Sequence, residues 1–76
     1  MQNLYNSLRA RIYQQGYTAG RVAAHVGLSP QQMSARMRGQ VPFTLPEITE
    51  IGEFLGFSES DYYVVFIIPQ LSRSQK

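Results

Sequence analysis

A repeated punctuation governs what this chain can fold into. Gly16, Gly27, Gly39 and Gly56 each close a short run of periodic apolar residues, and Thr18, Ser29, Thr44 and Ser58 each stand ready to open the next. A hydroxyl at a helix N-cap accepts a hydrogen bond from a first-turn backbone N–H, and a glycine just past the other end turns the chain away from the axis. The expected product is a set of short helices. Leu4, Leu8 and Ile12, flanked by Tyr5, place the first over about residues 3–14. Thr18 opens the second, with Val22, Ala23 and Val26 at helical spacing and Gly27 as its stop. Ser29-Pro30-Gln31-Gln32 joins a capping hydroxyl, a proline at the first helical position and a glutamine three residues past the cap, which makes a capping box. The helix it opens is expected to bury Met33 and Met37 and to end at Gly39. Thr44-Leu45-Pro46-Glu47 repeats the same logic ahead of the stripe Ile48, Ile51, Leu55, whose outer face is acidic with Glu47, Glu50 and Glu53.

Ser58 predicts a fifth, short helix through Glu59, Ser60 and Asp61. Beyond it, Tyr62 to Ile68 are seven apolar residues rich in β-branched and aromatic side chains, and a run this short fits a strand as readily as a helix. The favoured reading is a helix to about Val65 followed by an extended tail. With 43% hydrophobic and 16% charged residues, the 76-residue chain has the composition of a folding domain, and its length holds one small core. The expectation is therefore an all-α, compact five-helix domain over residues 1–68, with an informative helix pair over 18–38 and a polar, flexible tail over 69–76.

The same composition excludes several classes. No cysteine is present, so disulfide staples and thiolate metal sites are ruled out and a reducing compartment is favoured. The start of the chain lacks the basic and apolar blocks of a signal peptide. Its longest apolar run falls far short of the ~20 residues that cross a bilayer. A soluble, cytoplasmic protein with no membrane association is expected.

Charge is split along the chain. Arg9, Arg11, Arg21, Arg36 and Arg38 precede residue 47 without a single acid, whereas Glu47, Glu50, Glu53, Glu59 and Asp61 follow against Arg73 and Lys76, for a net charge of +2. One reading is a positive face for a polyanion, with the acidic half turned away. The other is that acidic and basic helices neutralise each other. Arginine dominates the basic set, and its planar fork suits phosphate and guanine edges.

The segment from Thr18 to Gly39 carries the function. Two short helices can cross closely only with a small side chain such as Ala23 at the contact, and the turn between them calls for a left-handed residue at Gly27. Gln31, Gln32, Ala35, Arg36 and Arg38 are left facing outward. The pattern Val22, Ala23, Val26, Gly27, Leu28, Ser29, Met33, Ser34 and Gly39, followed by Phe43-Thr44-Leu45 and by Ile48, Ile51, Leu55 and Gly56, resembles the lambda-repressor-like (Cro/CI, or XRE) family of helix-turn-helix regulators. The resemblance spans about residues 3–63 and is strongest to short phage-encoded Cro-like proteins. Two positions depart from the family pattern. Ala19 stands where a glutamine is usual, and Arg36 stands where an aliphatic residue is usual, with Met37 taking the core position.

The resemblance implies a domain that inserts its third helix in the major groove of a double-stranded DNA operator. By position, Gln31, Gln32 and Ala35 would contact base edges, and the departure at Arg36 would free that side chain to join them; the alternative for Arg36 is a surface position or pairing within the chain to the acidic fourth helix. Glutamine can pair with adenine N6 and N7, and an alanine can pack on a thymine methyl. Thr18, Ser29, Arg38, Gln40 and Arg21 would contact phosphates, setting orientation and not sequence preference. The implied activity is repression of transcription by occluding a promoter.

Seven apolar residues near the end are more than so small a domain covers easily. Tyr62 and Phe66 are expected to pack on the first and fourth helices, leaving Val65, Ile67 and Ile68 for a homodimer interface. The alternative is a protein-interaction module or anti-repressor on the same fold, acting through this apolar segment; the losses of polar groups at Ala19 and Pro30 favour it. An enzyme is not expected. His25 is the single histidine and Asp61 the single aspartate, and no nucleophile has an evident base. No catalytic residue, metal, cofactor or small-molecule substrate is expected.

Overall fold

The fold follows from the caps. A computed structural model describes residues 4–74, with side chains through residue 71, and these are helical without a strand. The elements are α1 (Asn6–Gln14), α2 (Ala19–His25), α3 (Pro30–Met37), α4 (Leu45–Leu55) and a last rod made of α5 (Glu59–Tyr62), a π-helical turn (Tyr63–Ile67) and α6 (Ile68–Ser74). Thr18 Oγ1 accepts the Arg21 N–H at 3.1 Å. Ser29 and Gln32, Thr44 and Glu47, and Ser58 and Asp61 each form a reciprocal capping box, every bond spanning three residues. Such a cap stabilises a helix by about 1 kcal/mol, a large share for helices of two or three turns. At the other end of α2, Gly27 has φ +79°, where a Cβ would be strained, and the chain turns there into α3. α1 begins at Asn6, later than residue 3; Met1 to Asn3 lie outside the described residues.

One core collects the inward faces. Leu8 and Ile12 of α1, Val22 and Ala23 of α2, Met33 and Met37 of α3, and Ile51 and Leu55 of α4 are all buried. Phe66 sits among them with no exposed surface. Phe43 meets its ring edge-on at 5.3 Å, and Tyr5 in turn meets Phe43 at 5.1 Å and 86°. Edge-to-face pairs of this kind add to the stabilisation from burial itself.

The last rod corrects one expectation. Residues 62–68 do not leave the helix for an extended tail; the backbone continues as helix to Ser74. Intrinsic preference is a weak prior beside burial. The Ser58 box starts the helix, and helical spacing then delivers both Val65 and Phe66 into the core, fully buried. Pro69, itself buried, lies just past the π turn. Its ring would press on the carbonyl four residues back in a regular α-helix, and its missing N–H would leave that carbonyl unpaired. The π turn comes just before this proline, with the Ile68 N–H donating five residues back to the Tyr63 carbonyl. Gln75 and Lys76 lie outside the described residues.

Three contacts tie the rods together. Arg11 of α1 pairs with Asp61 of α5 at 2.6 Å and lies over the Phe57 ring. The Gln15 side-chain amide donates to the Leu55 carbonyl at the end of α4. Tyr62 packs straight onto the α4 backbone at Gly52, where any Cβ would overlap its ring.

Candidate nucleic-acid interface

α3 is built to show its first turn. Met33 and Met37, four residues apart, are buried and pin its underside. That spacing turns Gln31 and Gln32 outward, and both are exposed. Ala35 is half-buried beside them. Gln32 also holds the cap, its Oε1 accepting the Ser29 N–H at 2.8 Å while its backbone N–H donates to Ser29 Oγ at 3.1 Å. Its amide nitrogen remains available as a donor, so the box restricts this side chain without consuming it. Gln31 has no such tie and is the freer of the two.

Arg36 is a correction. Its Nε donates to Glu47 Oε1 at 2.8 Å, its Nη1 donates to the Gln32 carbonyl at 3.1 Å, and the two side chains of the ion pair are only 13% and 14% exposed. A guanidinium so engaged is not free to reach a base edge. It bolts α3 to the start of α4 instead. Burial pushes the Glu47 carboxyl up, but the Arg36 bond and the Thr44 N–H outweigh it and hold the group below its ordinary value. Glu47 thus closes the α4 capping box and the ion pair through one oxygen.

The flanking polar groups fall at helix ends. Thr18, Arg21, Arg38 and Gln40 are exposed, and Ser29 is half-buried at its cap. Arg21 lies 5.7 Å from the Tyr17 ring. Arg38 folds back, donating to Ser34 Oγ and, at 3.2 Å, to Gln40 Oε1. All of these bonds are to neutral groups, so Arg21 and Arg38 keep uncompensated charge. Arg9 of α1 also has no acidic partner among the described residues, and it shares a cleft with Thr18 and Ala19 of α2 and Met37 of α3. Neutralisation between acidic and basic helices is thus realised at Arg11 and Arg36, whereas Arg9, Arg21 and Arg38 have no acidic partner among the described residues. Pairing with Arg11, together with the Ser58 N–H, draws the Asp61 carboxyl far below the usual carboxylate range.

The C-terminal rod divides differently from expectation. Val65 is fully buried and cannot form an interface between chains; helical spacing sends it to the core with Phe66. Ile67 and Ile68 are exposed at 38% and 41%, and Tyr63, Val64 and Leu71 extend the same apolar stripe. Tyr62 and Phe66 pack inward as their positions imply. His25 is exposed yet stacked on Phe54 of α4, with ring centroids 4.2 Å apart. Gln15, Gly52 and the role of Arg9 carry no signal in the order of residues, because each depends on a partner from another helix.

Comparison with protein-family models, with curated proteins and with solved structures finds no match to this chain. Among the described residues no helix is long and apolar enough to cross a membrane.

Proposed function

We propose that this chain is a sequence-specific double-stranded DNA-binding regulator of the Cro-like, helix-turn-helix kind, which represses by occupying a promoter. The observation that carries the reading is the presentation of α3: buried methionines beneath, exposed Gln31 and Gln32 at its start, and a cap held by Ser29. Entering the major groove, Gln31 reads a base edge with Gln32 and Ala35 beside it, and Thr18, Ser29, Arg21, Arg38 and Gln40 meet the backbone. A single domain covers one half-site. The exposed face of Tyr63, Val64, Ile67, Ile68 and Leu71 supports pairing of two copies on a palindrome.

Salt dependence of duplex binding tests the reading. The two arginines placed at the backbone in each protomer, Arg21 and Arg38, each displacing one counterion, give a slope of about −1.8 in log affinity against log salt. Raising salt from about 50 to about 200 mM then weakens a protomer roughly tenfold and a dimer on the order of a hundredfold. Binding indifferent to salt, or none to any duplex in a random selection, rejects the proposal.

The second reading is a protein-interaction module that acts through the same apolar stripe. The stripe itself favours it, since five exposed large apolar groups on one rod are unusual for a lone domain. A monomer that ignores DNA and yet needs Ile67 and Ile68 to hold a protein partner would establish it.

A further inference from the structure

A cleft of about 100 Å³ opens where α1 faces the start of α2 and the end of α3. Its base is apolar. Ile12 and Met37, both core residues, reach it together with the methyl group of Ala19. Tyr17 lines it as well, while Arg9, Tyr13 and Thr18 stand exposed around the mouth. A closed apolar cavity of roughly 150 Å³ is enough to take benzene. The present cleft is smaller but open on one side, so it admits one ring partly inserted and nothing of drug size, which needs at least about 300 Å³.

The charge at the mouth narrows the ligand further. Arg9 lines the cleft, is exposed and has no acidic partner among the described residues, so its charge is available to a ligand seated on the apolar hollow. A bare inorganic anion would satisfy the arginine and leave the hollow uncovered. A neutral hydrocarbon would do the reverse. Thr18 Oγ1 accepts the Arg21 N–H, which leaves its own hydrogen free to donate outward. We infer that this cleft binds a monocyclic aromatic carboxylate, the ring seated against Ile12 and Met37 and the carboxylate held by Arg9 with Thr18 as second donor. An arginine fork matches a carboxylate with two parallel bonds, which gives the site its preference over monodentate anions. Thr18 is also a proposed phosphate contact, so, granted the DNA-binding reading, an occupied cleft competes with the operator backbone.

Sodium benzoate, titrated into isotopically labelled full-length protein at constant ionic strength, is the direct test. The expected result is saturable displacement of the Ile12 and Met37 methyl resonances, with Kd on the order of 1 mM for so small a ligand. Arg9→Gln should weaken it at least tenfold, and Ala19→Leu, which fills the hollow, should abolish it. Amide spectra of the variants report their folding, and Arg9→Gln decides alone if Ala19→Leu is unfolded. Shifts that stay linear in benzoate, that spread equally to Arg21 and Arg38, that chloride reproduces, or that survive Arg9→Gln overturn the inference. Benzoate bound with duplex affinity unchanged keeps the cleft and removes its coupling to DNA. Loss of duplex binding in every sample rejects the DNA reading, and the methyl titration still decides the cleft.

Discussion

Removing either member of the Arg36–Glu47 pair separates a reading role for Arg36 from a bracing one. An exposed ion pair contributes about 0–1 kcal/mol, and truncating one partner of a fully buried pair costs about 3–5 kcal/mol. With side chains 13% and 14% exposed and a 2.8 Å bond, this pair lies between those limits. Arg36→Ala also loses the bond to the Gln32 carbonyl, and its cost is about 1–2 kcal/mol. Glu47→Ala costs more, about 2–3 kcal/mol, because it strands a half-buried guanidinium and takes the Thr44 N–H partner from the α4 cap. Urea unfolding of both single variants and the double variant should yield a coupling of about 1 kcal/mol, with the double variant losing less than the sum. On selected duplexes, Arg36→Ala and Glu47→Ala should both weaken binding without altering the preferred bases. Glu47→Ala is the sharper probe, since it removes a negative charge and simple electrostatics would have it bind DNA more tightly. A coupling within about 0.5 kcal/mol of zero, or a changed base preference in Arg36→Ala alone, refutes the brace.

Four further outcomes are expected. Gln31→Ala should cost about 1–3 kcal/mol on the preferred duplex and blur sequence choice, whereas Arg38→Ala should weaken all duplexes alike and make the salt slope shallower by about one; selection and binding curves on the two variants distinguish them. Gly52→Ala should destabilise by about 1–2 kcal/mol, because overlap with the Tyr62 ring outweighs the better helix propensity of alanine, and urea midpoints measure it. Asp61 and Glu47 both titrate below their ordinary values of 3.8 and 4.5 in the folded chain, so the stability they confer is complete above those values and drains away as pH falls through the folded ones. Thermal midpoints should therefore drop steeply below about pH 4.5, and less steeply in Asp61→Asn; a flat profile down to about pH 3 counts against both pairs. Ile67→Ser with Ile68→Ser should shift sedimentation towards monomer without unfolding the chain, since both side chains are exposed.

The caps were legible because every partner lies within three residues. Ser29 and Gln32, or Thr44 and Glu47, need no tertiary structure to find each other, and the all-helical architecture followed from them. Positions 62–68 were not legible, because β-branched and aromatic residues serve a strand or a helix alike until something decides which of them is buried. Phe43, Tyr5 and Phe57 around Phe66 decide it, and they come from three separate parts of the chain. The same spacing argument that exposes Ile67 and Ile68 buries Val65, so the expected interface kept two of its three residues in the open. On α3, the outward positions Gln31 and Gln32 were readable from the methionine spacing. For Arg36, pairing with the acidic fourth helix was one of the readings the charges allowed, but nothing local to α3 singles out Glu47 eleven residues on.

The division of the arginines gives the acidic half of the chain a purpose that net charge conceals. Arg11 and Arg36 reach across to α5 and α4, so Asp61 and Glu47 act as anchors that fix α1 and α3. Arg9, Arg21 and Arg38 are left with their charge on the helices that flank the start of α2 and the end of α3. Acidification separates these two uses of charge. Protonating the carboxylates makes the molecule more positive, which by long-range attraction alone strengthens its hold on a polyanion. The same protonation releases Arg36 from Glu47 and loosens the footing of α3, whose first turn, under the proposed function, must be held still to read bases. Non-specific duplex affinity should therefore rise on acidification over the range where discrimination between sequences falls, and that opposite movement is the signature of anchors and contacts drawn from one set of arginines.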